Sequence, residues 1–321
     1  NLLTWHPEVH NMLQTASRLS DSRVPLLLSG ETGTGKSTTA QTIHRWSTRA
    51  QAPFVFFPCG AVSRDLIYAE LFGHRRGAFT GAIHDRVGKI EAAGTGTLLI
   101  DEVDLLTLDD QAKLLRVVET GQYERIGTVE TSMSQCRLIF ASNVDLAAEV
   151  RAGRFRSDLY FRINVLELQL VPLRNRLRDI PLIAIDCLHN LAAEHNSGSL
   201  NVTLKFLNGL AHHNWPGNIR ELKNRLLRAV TLCEAGEIQS QHLGISQLET
   251  VPITAPVQVI QTNSLTGYVA EASREAIVSC IRAHGNRKSA AAKALNISRS
   301  TLYRKIKEYG IQEHECELAG G

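Results

Sequence analysis

The sequence has no long apolar run and no closely spaced pair of cysteines. A membrane-spanning helix needs about 20 consecutive apolar residues, and no stretch approaches that length. The first residues also lack the basic and then apolar order of a secretory signal peptide. The six cysteines lie far apart, without a C-x-x-C pair, which argues against a disulfide framework and against a zinc site. We therefore expect a cytoplasmic protein that has no membrane partner.

Length and composition limit the class of protein. A chain of 321 residues is too long for one compact core, which predicts two or three domains. Hydrophobic residues make up 43% and charged residues 21% of the sequence, a composition that excludes wholesale disorder. Because the chain begins with Asn1 rather than Met, we expect a longer protein with a further domain upstream.

The net charge of +3 is unevenly distributed. Residues 265–312 contain nine Lys or Arg against three Asp or Glu, a balance of +6. Residues 313–321 contain three Glu and no Lys or Arg, a balance of −3, and the first 264 residues contain 26 charges of each sign. A basic excess on a short segment is typical of a nucleic-acid contact. Charge alone leaves a solvated basic helix as the alternative.

Short apolar runs alternate with helical patterns in the first half of the chain. This alternation predicts a parallel sheet covered by helices on both faces. Strand signals stop near Asp179, and the helical periodicity that follows is broken at Trp215-Pro216-Gly217, which indicates a small helical domain. The predicted strands lie at 24–29, 54–57, 97–101, 136–141 and 165–170, and one predicted helix lies at 111–119.

A phosphate-binding loop follows the first predicted strand. Residues 30–37 match G-x-x-x-x-G-K-[ST] between a strand and a helix. The glycines let successive backbone N–H groups turn towards phosphate oxygens, and the helix N-terminus adds partial positive charge. Lys36 would reach the β- and γ-phosphates, and the Ser37 hydroxyl would bind Mg²⁺. The residues predicted to bind the nucleotide are Gly30, Glu31, Thr32, Gly33, Thr34, Gly35, Lys36, Ser37 and Thr38.

Three polar residues follow other strands of the predicted sheet. Asp101 ends an apolar strand and should lie beside Lys36 and Ser37, where it would hold the Mg²⁺ shell. Glu102 comes next and would polarise the attacking water as a general base. Asn143 follows another strand and would orient the water or sense the γ-phosphate. On its own the Asp101-Glu102 pair would more often be a solvated strand end, but its place about 65 residues after the phosphate loop on a parallel sheet favours catalysis. An isolated Asn such as Asn143 would more often be a turn residue.

Residues 77–82 read Gly77-Ala78-Phe79-Thr80-Gly81-Ala82. With the motifs above, the chain resembles the bacterial enhancer-binding proteins, which are AAA+ ATPases that activate transcription by sigma-54 RNA polymerase. The resemblance covers nearly the whole chain, through further motifs at 70–73, 154–159, 171–174 and 214–222, and ends in a helix-turn-helix like that of the nucleoid protein Fis. It implies an AAA+ P-loop parallel sheet with helices on both faces at 1–172, an all-α lid at 173–244, a linker at 245–264, a Fis-type helix-turn-helix at 265–312 and an acidic tail at 313–321.

The resemblance implies that ATP is the nucleotide and that its hydrolysis remodels the closed promoter complex into an open one. The small residues around Phe79 and Thr80 predict a mobile tip that presents one aromatic ring and one hydroxyl. In the family this loop contacts sigma-54 and moves with the nucleotide state. We therefore assign the sigma-54 contact to residues 77–82, and to Phe79 and Thr80 above all.

The resemblance also implies catalytic arginines. Arg156 and Arg162 align with the arginine fingers, which reach the nucleotide site of a neighbouring subunit and stabilise charge on the transferring phosphoryl group. Fingers that act in trans require a closed ring, which is a homo-hexamer in this family. Arg220 matches the second sensor arginine, which reports the nucleotide state to the lid. The alternative is that these are surface arginines in salt bridges.

Three residues depart from the family pattern. Ser37 stands where the family usually has Glu, although it follows the general P-loop rule. Pro58 occupies the place of the family's Asn that holds the catalytic Glu inactive. Proline has no side-chain amide, so Glu102 would not be controlled in that way. Arg178 stands where an acidic residue is common. None of these changes removes a catalytic group.

Three helical patterns at 265–283, 287–295 and 299–309 end the folded part of the chain, and Ser298 is a suitable N-cap for the last. The second and third form a helix-turn-helix whose final helix would enter the major groove. In the family this domain dimerises on enhancer DNA.

The final helix has an apolar and a polar side. Leu302, Ile306 and Tyr309 recur at helical spacing and should face inward, with Gly310 ending the helix. The residues predicted to contact DNA are Arg287, Lys288, Arg299, Ser300, Tyr303, Arg304 and Lys307.

Two other functions compete with an ATP-hydrolysing activator of sigma-54 polymerase. A general AAA+ remodeller or DNA motor is one, and the loop at 77–82 speaks against it. A DNA-binding regulator that has lost sigma-54 activity is the other. Relatives of that kind lose the loop hexapeptide or the arginines, whereas this sequence retains both.

Overall fold

The computed structural model describes residues 4, 6–79, 81–194, 200–233, 237–244, 274, 277–278, 280–281, 288–294 and 299–312. Within them the strands are β1 Leu26–Ser29, β2 Phe54–Pro58, β3 Gly73–His74, β4 Arg86–Val87, β5 Thr97–Asp101, β6 Gln122–Glu124, β7 Thr131–Met133, β8 Arg137–Ser142, β9 Leu166–Gln169, β10 Asn201–Val202 and β11 Glu237–Ile238. The α-helices are α1 Pro7–Arg18, α2 Lys36–Trp46, α3 Arg64–Phe72, α4 Lys89–Ala92, α5 Leu108–Thr120, α6 Leu146–Arg151, α7 Ser157–Ile163, α8 Asp179–Glu194, α9 Leu204–Leu210, α10 Asn218–Leu232, α11 Lys288–Ala294 and α12 Arg299–Glu308.

Five strands form a parallel sheet in the order β2-β5-β8-β1-β9. Successive residues of its strands pack into two different hydrophobic clusters: Leu98 and Ile100 belong to one, whereas Leu99 lies in the other. Because both faces are covered, the strands read as continuous apolar runs in the sequence. The predicted α/β class with a parallel sheet is confirmed.

The five predicted strands are all present in this sheet. β5 has the predicted bounds, and the others shift by one or two residues. Helix α5 begins three residues before its predicted start, because the Thr107 side chain caps it by accepting the N–H of Asp110 at 3.2 Å. It ends at Thr120 and is followed by Gly121, whose left-handed φ of 74° suits glycine.

Three short strand pairs were not predicted. β3 pairs with β4 and β6 with β7 in antiparallel hairpins, and β10 pairs with β11 in parallel. Strands of two or three residues are too short to show an alternating pattern in a sequence. As a result the region expected to be all-α contains one small strand pair among its helices.

The helical lid is built around Trp215. Its side chain is fully buried, and the indole Nε1–H donates to the carbonyl of Leu210 at 2.7 Å. Leu222 and Leu226 of α10 and Ile180 and Leu188 of α8 belong to the same cluster. Among the described residues, no helix has the length and apolar character needed to cross a bilayer.

The described part of the C-terminal segment contains α11 and α12, packed together around the buried side chains of Ala291, Ala292 and Leu302. Ile306 and Tyr309 pack against this cluster, which confirms their inward orientation. Helix α12 ends at Glu308, one residue earlier than predicted, and Gly310 has a left-handed φ of 61°. Ser298, most of the predicted helix at 265–283 and the tail at 313–321 lie outside the described residues.

Candidate functional site

A cavity of about 350 Å³ lies between the phosphate loop and the lid. It brings together most of the residues that the sequence predicts for nucleotide binding and catalysis, although they come from four separate parts of the chain. Gly30, Glu31, Arg156 and Arg162 do not line it. The predicted residues that do are Thr32, Gly33, Thr34, Gly35, Lys36, Ser37, Thr38, Asp101, Glu102, Asn143 and Arg220.

The lysine of the phosphate loop is held by the loop itself. The Nζ group of Lys36 donates to the carbonyl of Gly30 at 2.7 Å and to that of Glu31 at 3.1 Å. Burial lowers the pKa of Lys36, and the nearby Asp101 carboxylate opposes that shift. These bonds aim the amine at the mouth of the loop, where the phosphates of a nucleotide would compete for it.

Ser37 and Asp101 supply two oxygen ligands of the kind that Mg²⁺ prefers. The Ser37 Oγ lies 3.5 Å from Oδ2 of Asp101, at the junction of α2 and the end of β5. Mg²⁺ is usually bound by one or two protein oxygens together with substrate phosphates and waters. This pair fits such a site, in which Mg²⁺ would neutralise charge on the phosphates.

Glu102 has an unusual backbone and an unpredicted partner. Its φ of 56° lies in the left-handed region, which is strained for a side chain of this kind. Its Oε2 accepts the backbone N–H of Gly60 at 3.1 Å. A Cβ atom at position 60 would overlap this oxygen, so the contact requires glycine there. The carboxylate is thus held by a backbone group two residues after Pro58.

Asn143 reaches the phosphate loop from the end of β8. Its Nδ2 donates to Oγ1 of Thr32 at 3.0 Å. The neighbouring Ser142 hydroxyl donates to Oδ1 of Asp104 at 2.8 Å, which fixes the end of the strand. Asn143 therefore stands at the position from which it could contact a γ-phosphate or a water.

The sequence did not predict the apolar wall of the cavity. Val9, Met12 and Leu13 of α1 line it together with Ile183 and Ile219 of the lid. An apolar slot beside a phosphate site is suited to a nucleotide base. The amphipathic pattern of α1 signals an apolar face, but nothing in the sequence indicates which distant residues it faces. The polar residues missed in the same cavity are Arg176, Asp186, Lys223 and Asn224.

The two predicted finger arginines lie outside the cavity on and next to α7. Arg156 forms a bidentate pair with Asp158, with distances of 3.0 and 2.7 Å. The Nε group of Arg162 donates to Oε1 of Glu119 at 2.7 Å, and its side chain is 61% exposed. Both guanidinium groups are therefore on the surface, where a neighbouring molecule could approach them.

The two ends of the loop at 77–82 are joined by a hydrogen bond. The Gly77 N–H donates to the carbonyl of Ala82 at 2.8 Å, and Gly81 has a left-handed φ of 101°. We expected Phe79 to be presented at the tip, but it is half-buried, with its ring 4.9 Å from that of His74 in an edge-on contact. Thr80 lies outside the described residues.

The base of this loop is anchored. Asp85 accepts the side chain of Arg75 and the backbone N–H of Arg76, each at 2.7 Å. The Arg75 N–H donates to the carbonyl of Ile126 at 3.0 Å, which ties the loop to the hairpin of β6 and β7. The loop therefore projects from a fixed base.

The predicted DNA contacts are only partly covered by the structure. Tyr303, Arg304 and Lys307 are exposed on α12, opposite the buried Leu302. The Nζ group of Lys288 lies 5.9 Å from the centre of the Tyr303 ring. Arg287 and the side chains of Arg299 and Ser300 lie outside the described residues.

Three family models match consecutive parts of the chain. The sigma-54 interaction domain matches residues 2–169, the AAA+ ATPase lid domain matches 174–256, and the bacterial regulatory protein, Fis family, matches 268–309. The first of these covers more than half of the chain.

Several characterised proteins are similar along most of their length. The response regulator protein PilR of Pseudomonas aeruginosa is 36% identical over 97% of this chain and 70% of its own length. The transcriptional regulatory protein ZraR of Escherichia coli is 37% identical over 94% of this chain and 67% of its own length. The regulatory protein AtoC of Escherichia coli is 37% identical over 97% of this chain and 68% of its own length.

Solved structures of NtrX from Brucella abortus resemble this fold. The structure in complex with ADP has a TM-score of 0.71 at 27% identity, and the match covers 97% of this chain and 70% of NtrX. The structure in complex with ATP has a TM-score of 0.69 at 26% identity, and the match covers 97% of this chain and 69% of NtrX. The matching domains, the parallel sheet with its lid and the relatives agree: the chain belongs to the sigma-54-dependent, enhancer-binding AAA+ activators of transcription that carry a Fis-type helix-turn-helix.

Proposed function

We propose that this protein binds enhancer DNA and uses ATP hydrolysis to remodel the closed complex of sigma-54 RNA polymerase into an open complex. The observation that carries the proposal is the cavity in which Lys36, Asp101, Glu102 and Arg220 meet beside an apolar slot. A nucleotide with its base in the slot and its phosphates on the loop would touch each of these residues. The sigma-54 interaction domain matched over residues 2–169 supports the choice of partner.

The chemistry of each side chain gives it a different role in hydrolysis. Backbone N–H groups of residues 33–37 and the Lys36 amine bind the phosphates. Ser37 and Asp101 would hold Mg²⁺, which would offset the charge that develops on the phosphoryl group. Glu102 takes a proton from the attacking water, and Asn143 orients that water. The hydrogen bond that Oε2 of this carboxylate accepts from the N–H of Gly60 would restrain its position.

The remaining groups act between subunits and between domains. Arg156 and Arg162 approach the nucleotide of the neighbouring subunit in a hexameric ring, where a guanidinium stabilises negative charge on the transferring group. Arg220, on α10, contacts the nucleotide from the lid of the same subunit. Ring formation therefore completes an active site that one chain leaves open.

The residues that transmit the energy of ATP hydrolysis to sigma-54 are different from those that hydrolyse ATP. The loop at 77–82 carries no catalytic group, and its fixed base connects it to the hairpin of β6 and β7. Phe79 and Thr80 would contact sigma-54 after Phe79 leaves the ring of His74. The helix-turn-helix, dimerised on enhancer DNA, would keep the ring near the promoter.

Replacement of Thr80 by Ala tests this division. We expect Thr80→Ala to keep most of the ATP hydrolysis and to abolish promoter opening, because it removes a partner contact and no group of the cavity. The measurements are an ATPase assay and permanganate footprinting of a sigma-54 promoter. Thr231→Ala is a matched control, since Thr231 is an exposed threonine on α10 whose hydroxyl donates to the Leu227 carbonyl.

Two outcomes would contradict the proposal. Normal promoter opening by Thr80→Ala would remove the role assigned to the loop. Wild-type protein that hydrolyses ATP rapidly but never opens a sigma-54 promoter, even without any upstream domain, would favour a general AAA+ remodeller.

A further inference from the structure

The lid contacts the phosphate loop at the edge of the nucleotide cavity, through backbone carbonyl groups of the loop. The Arg176 guanidinium donates to the carbonyl of Thr34 at 3.1 Å, and the backbone N–H of Ile219 donates to the carbonyl of Gly33 at 2.9 Å. A Cβ atom at Gly33 would overlap the carbonyl oxygen of Gly217, so the two backbones touch closely at this point. Neither contact involves a group predicted to bind phosphate through its side chain.

Glu31 extends this contact with a charged pair. Its carboxylate accepts both terminal nitrogens of Arg174, at 2.7 and 2.5 Å, and also Nδ2 of Asn218 at 3.1 Å. These hydrogen bonds, that of Arg174 above all, lower the pKa of Glu31 to about 2, so the side chain is charged at any physiological pH. The side chain of Glu31 thus serves the lid, although it lies in the phosphate-binding motif.

Asn218 lies at the centre of the contact. Its side chain is fully buried, and its backbone has a left-handed φ of 52°, a conformation that Asn tolerates better than most residues. The Oδ1 atom accepts the Leu173 N–H at 2.7 Å, and Nδ2 donates to the Thr32 carbonyl at 3.0 Å as well as to Glu31. One amide therefore joins the phosphate loop, the first residues of the lid and the start of α10.

We propose that Asn218, with the Glu31–Arg174 pair, positions the phosphate loop relative to the lid, and through α10 sets where Arg220 stands over the nucleotide. Arg220 is two residues after Asn218 and lines the cavity, close enough for its charge to help lower the pKa of Lys36. A loop that moves when phosphates bind would pull on Asn218 and turn α10. The inference rests on the proposed function, because it assumes that a nucleotide binds in this cavity.

A structural role alone would also explain buried hydrogen bonds, and a double-mutant cycle distinguishes the two. If Asn218 acts through Arg220, its loss should matter little once Arg220 is gone. We expect Asn218→Gly and Arg220→Ala each to weaken binding of the non-hydrolysable ATP analogue AMP-PNP at least about fivefold. The double variant should bind within about twofold of the weaker single variant. Glycine is chosen at 218 because it adopts the left-handed conformation without strain.

A second double-mutant cycle combines Arg174→Gln with Arg220→Ala. Because the side chains of Arg174 and Glu31 are each 42% exposed, we expect Arg174→Gln to disturb folding less than a change at the buried Asn218. Its matched control is Arg116→Gln, which breaks an Arg–Glu pair of similar exposure, 47% and 35%, away from the cavity. Binding is measured by calorimetry on the whole chain, and thermal unfolding without nucleotide reports the stability of each variant.

If the losses of AMP-PNP affinity multiply in the double variants, Asn218 and Arg174 do not act through Arg220, and their contacts only stabilise the fold. The same conclusion follows if Arg116→Gln weakens binding as much as Arg174→Gln does. Retained binding of AMP-PNP by Lys36→Ala would contradict the proposed function instead, whatever the cycle shows.

Discussion

At the scale of single residues, the backbone N–H of Gly60 donates a hydrogen bond to the carboxylate of Glu102. Pro58 has no amide with which to hold Glu102, yet the carboxylate is bound 3.1 Å from the nitrogen of Gly60. A hydrogen bond contributes about 0.5–1.5 kcal/mol net. That energy corresponds to a change of about two- to tenfold in the ratio of restrained to released carboxylate. The pair would therefore restrain the general base before a partner is engaged.

We predict that Gly60→Ala raises the basal ATPase rate about two- to tenfold, because the new methyl group displaces the carboxylate from its restraint. Steady-state phosphate release measures the rate. Ala61→Ser, in the same short helical turn, is the control and should change little. The combination with Glu102→Gln should bind ATP without turnover. A Gly60→Ala rate equal to that of the parent would show that the contact does not restrain catalysis.

At the scale of elements, α12 has a buried side and a basic side. Leu302 is fully buried, while Arg304 and Lys307 are exposed on the same helix. Contacts of Lys and Arg with phosphate release counterions, so they make DNA binding salt-dependent. This helix has no residue in the nucleotide cavity.

We predict that changing Arg304 and Lys307 together to Ala weakens enhancer binding and reduces the slope of log affinity against log salt by up to about two. ATP hydrolysis by the assembled ring should be unchanged. Fluorescence anisotropy at several salt concentrations measures the slope. Replacement of Glu308, also exposed on α12, by Gln is the control and should not flatten it. An equal loss of ATPase would mean that this domain serves ring assembly.

At the scale of the whole molecule, one chain holds a nucleotide cavity and, on another surface, the arginines expected to complete a second one. Arg162 is paired with Glu119 and is absent from the cavity lining. Head-to-tail contacts that close on themselves generate a ring, so each cavity would meet the arginine of one neighbour.

We predict that Arg162→Ala and Lys36→Ala proteins, each inactive alone, regain ATPase when mixed. At a one-to-one ratio about a quarter of the interfaces would pair an intact cavity with an intact arginine, given random mixing in a heterologous ring. Arg154→Ala, which breaks an exposed pair with Glu149, is the control and should stay active. A mixture as inactive as its components would contradict a role for Arg162 at the nucleotide of the neighbouring subunit.

The sequence alone determined the features whose chemistry is local in the chain. A glycine-rich loop between a strand and a helix, with a lysine and a hydroxyl at set spacing, needs only neighbouring residues to present N–H groups to phosphate. The parallel sheet was predictable for a similar reason, because strands buried on both faces must be apolar throughout. Asp101 and Glu102 followed from the end of such a strand.

Tertiary structure decided every contact between residues that are distant in the chain. Gly60 and Glu102 are 42 residues apart, and Asn218 and Glu31 are 187 apart. Val9 and Ile219 share one cavity from opposite ends of the ATPase region. Periodicity tells which face of an element is apolar, but a hydrogen bond or a cavity wall depends on which elements meet and at what angle. That is why the restraint on Glu102, the grip of the lid on the phosphate loop and the half-buried ring of Phe79 could be found only in the folded chain.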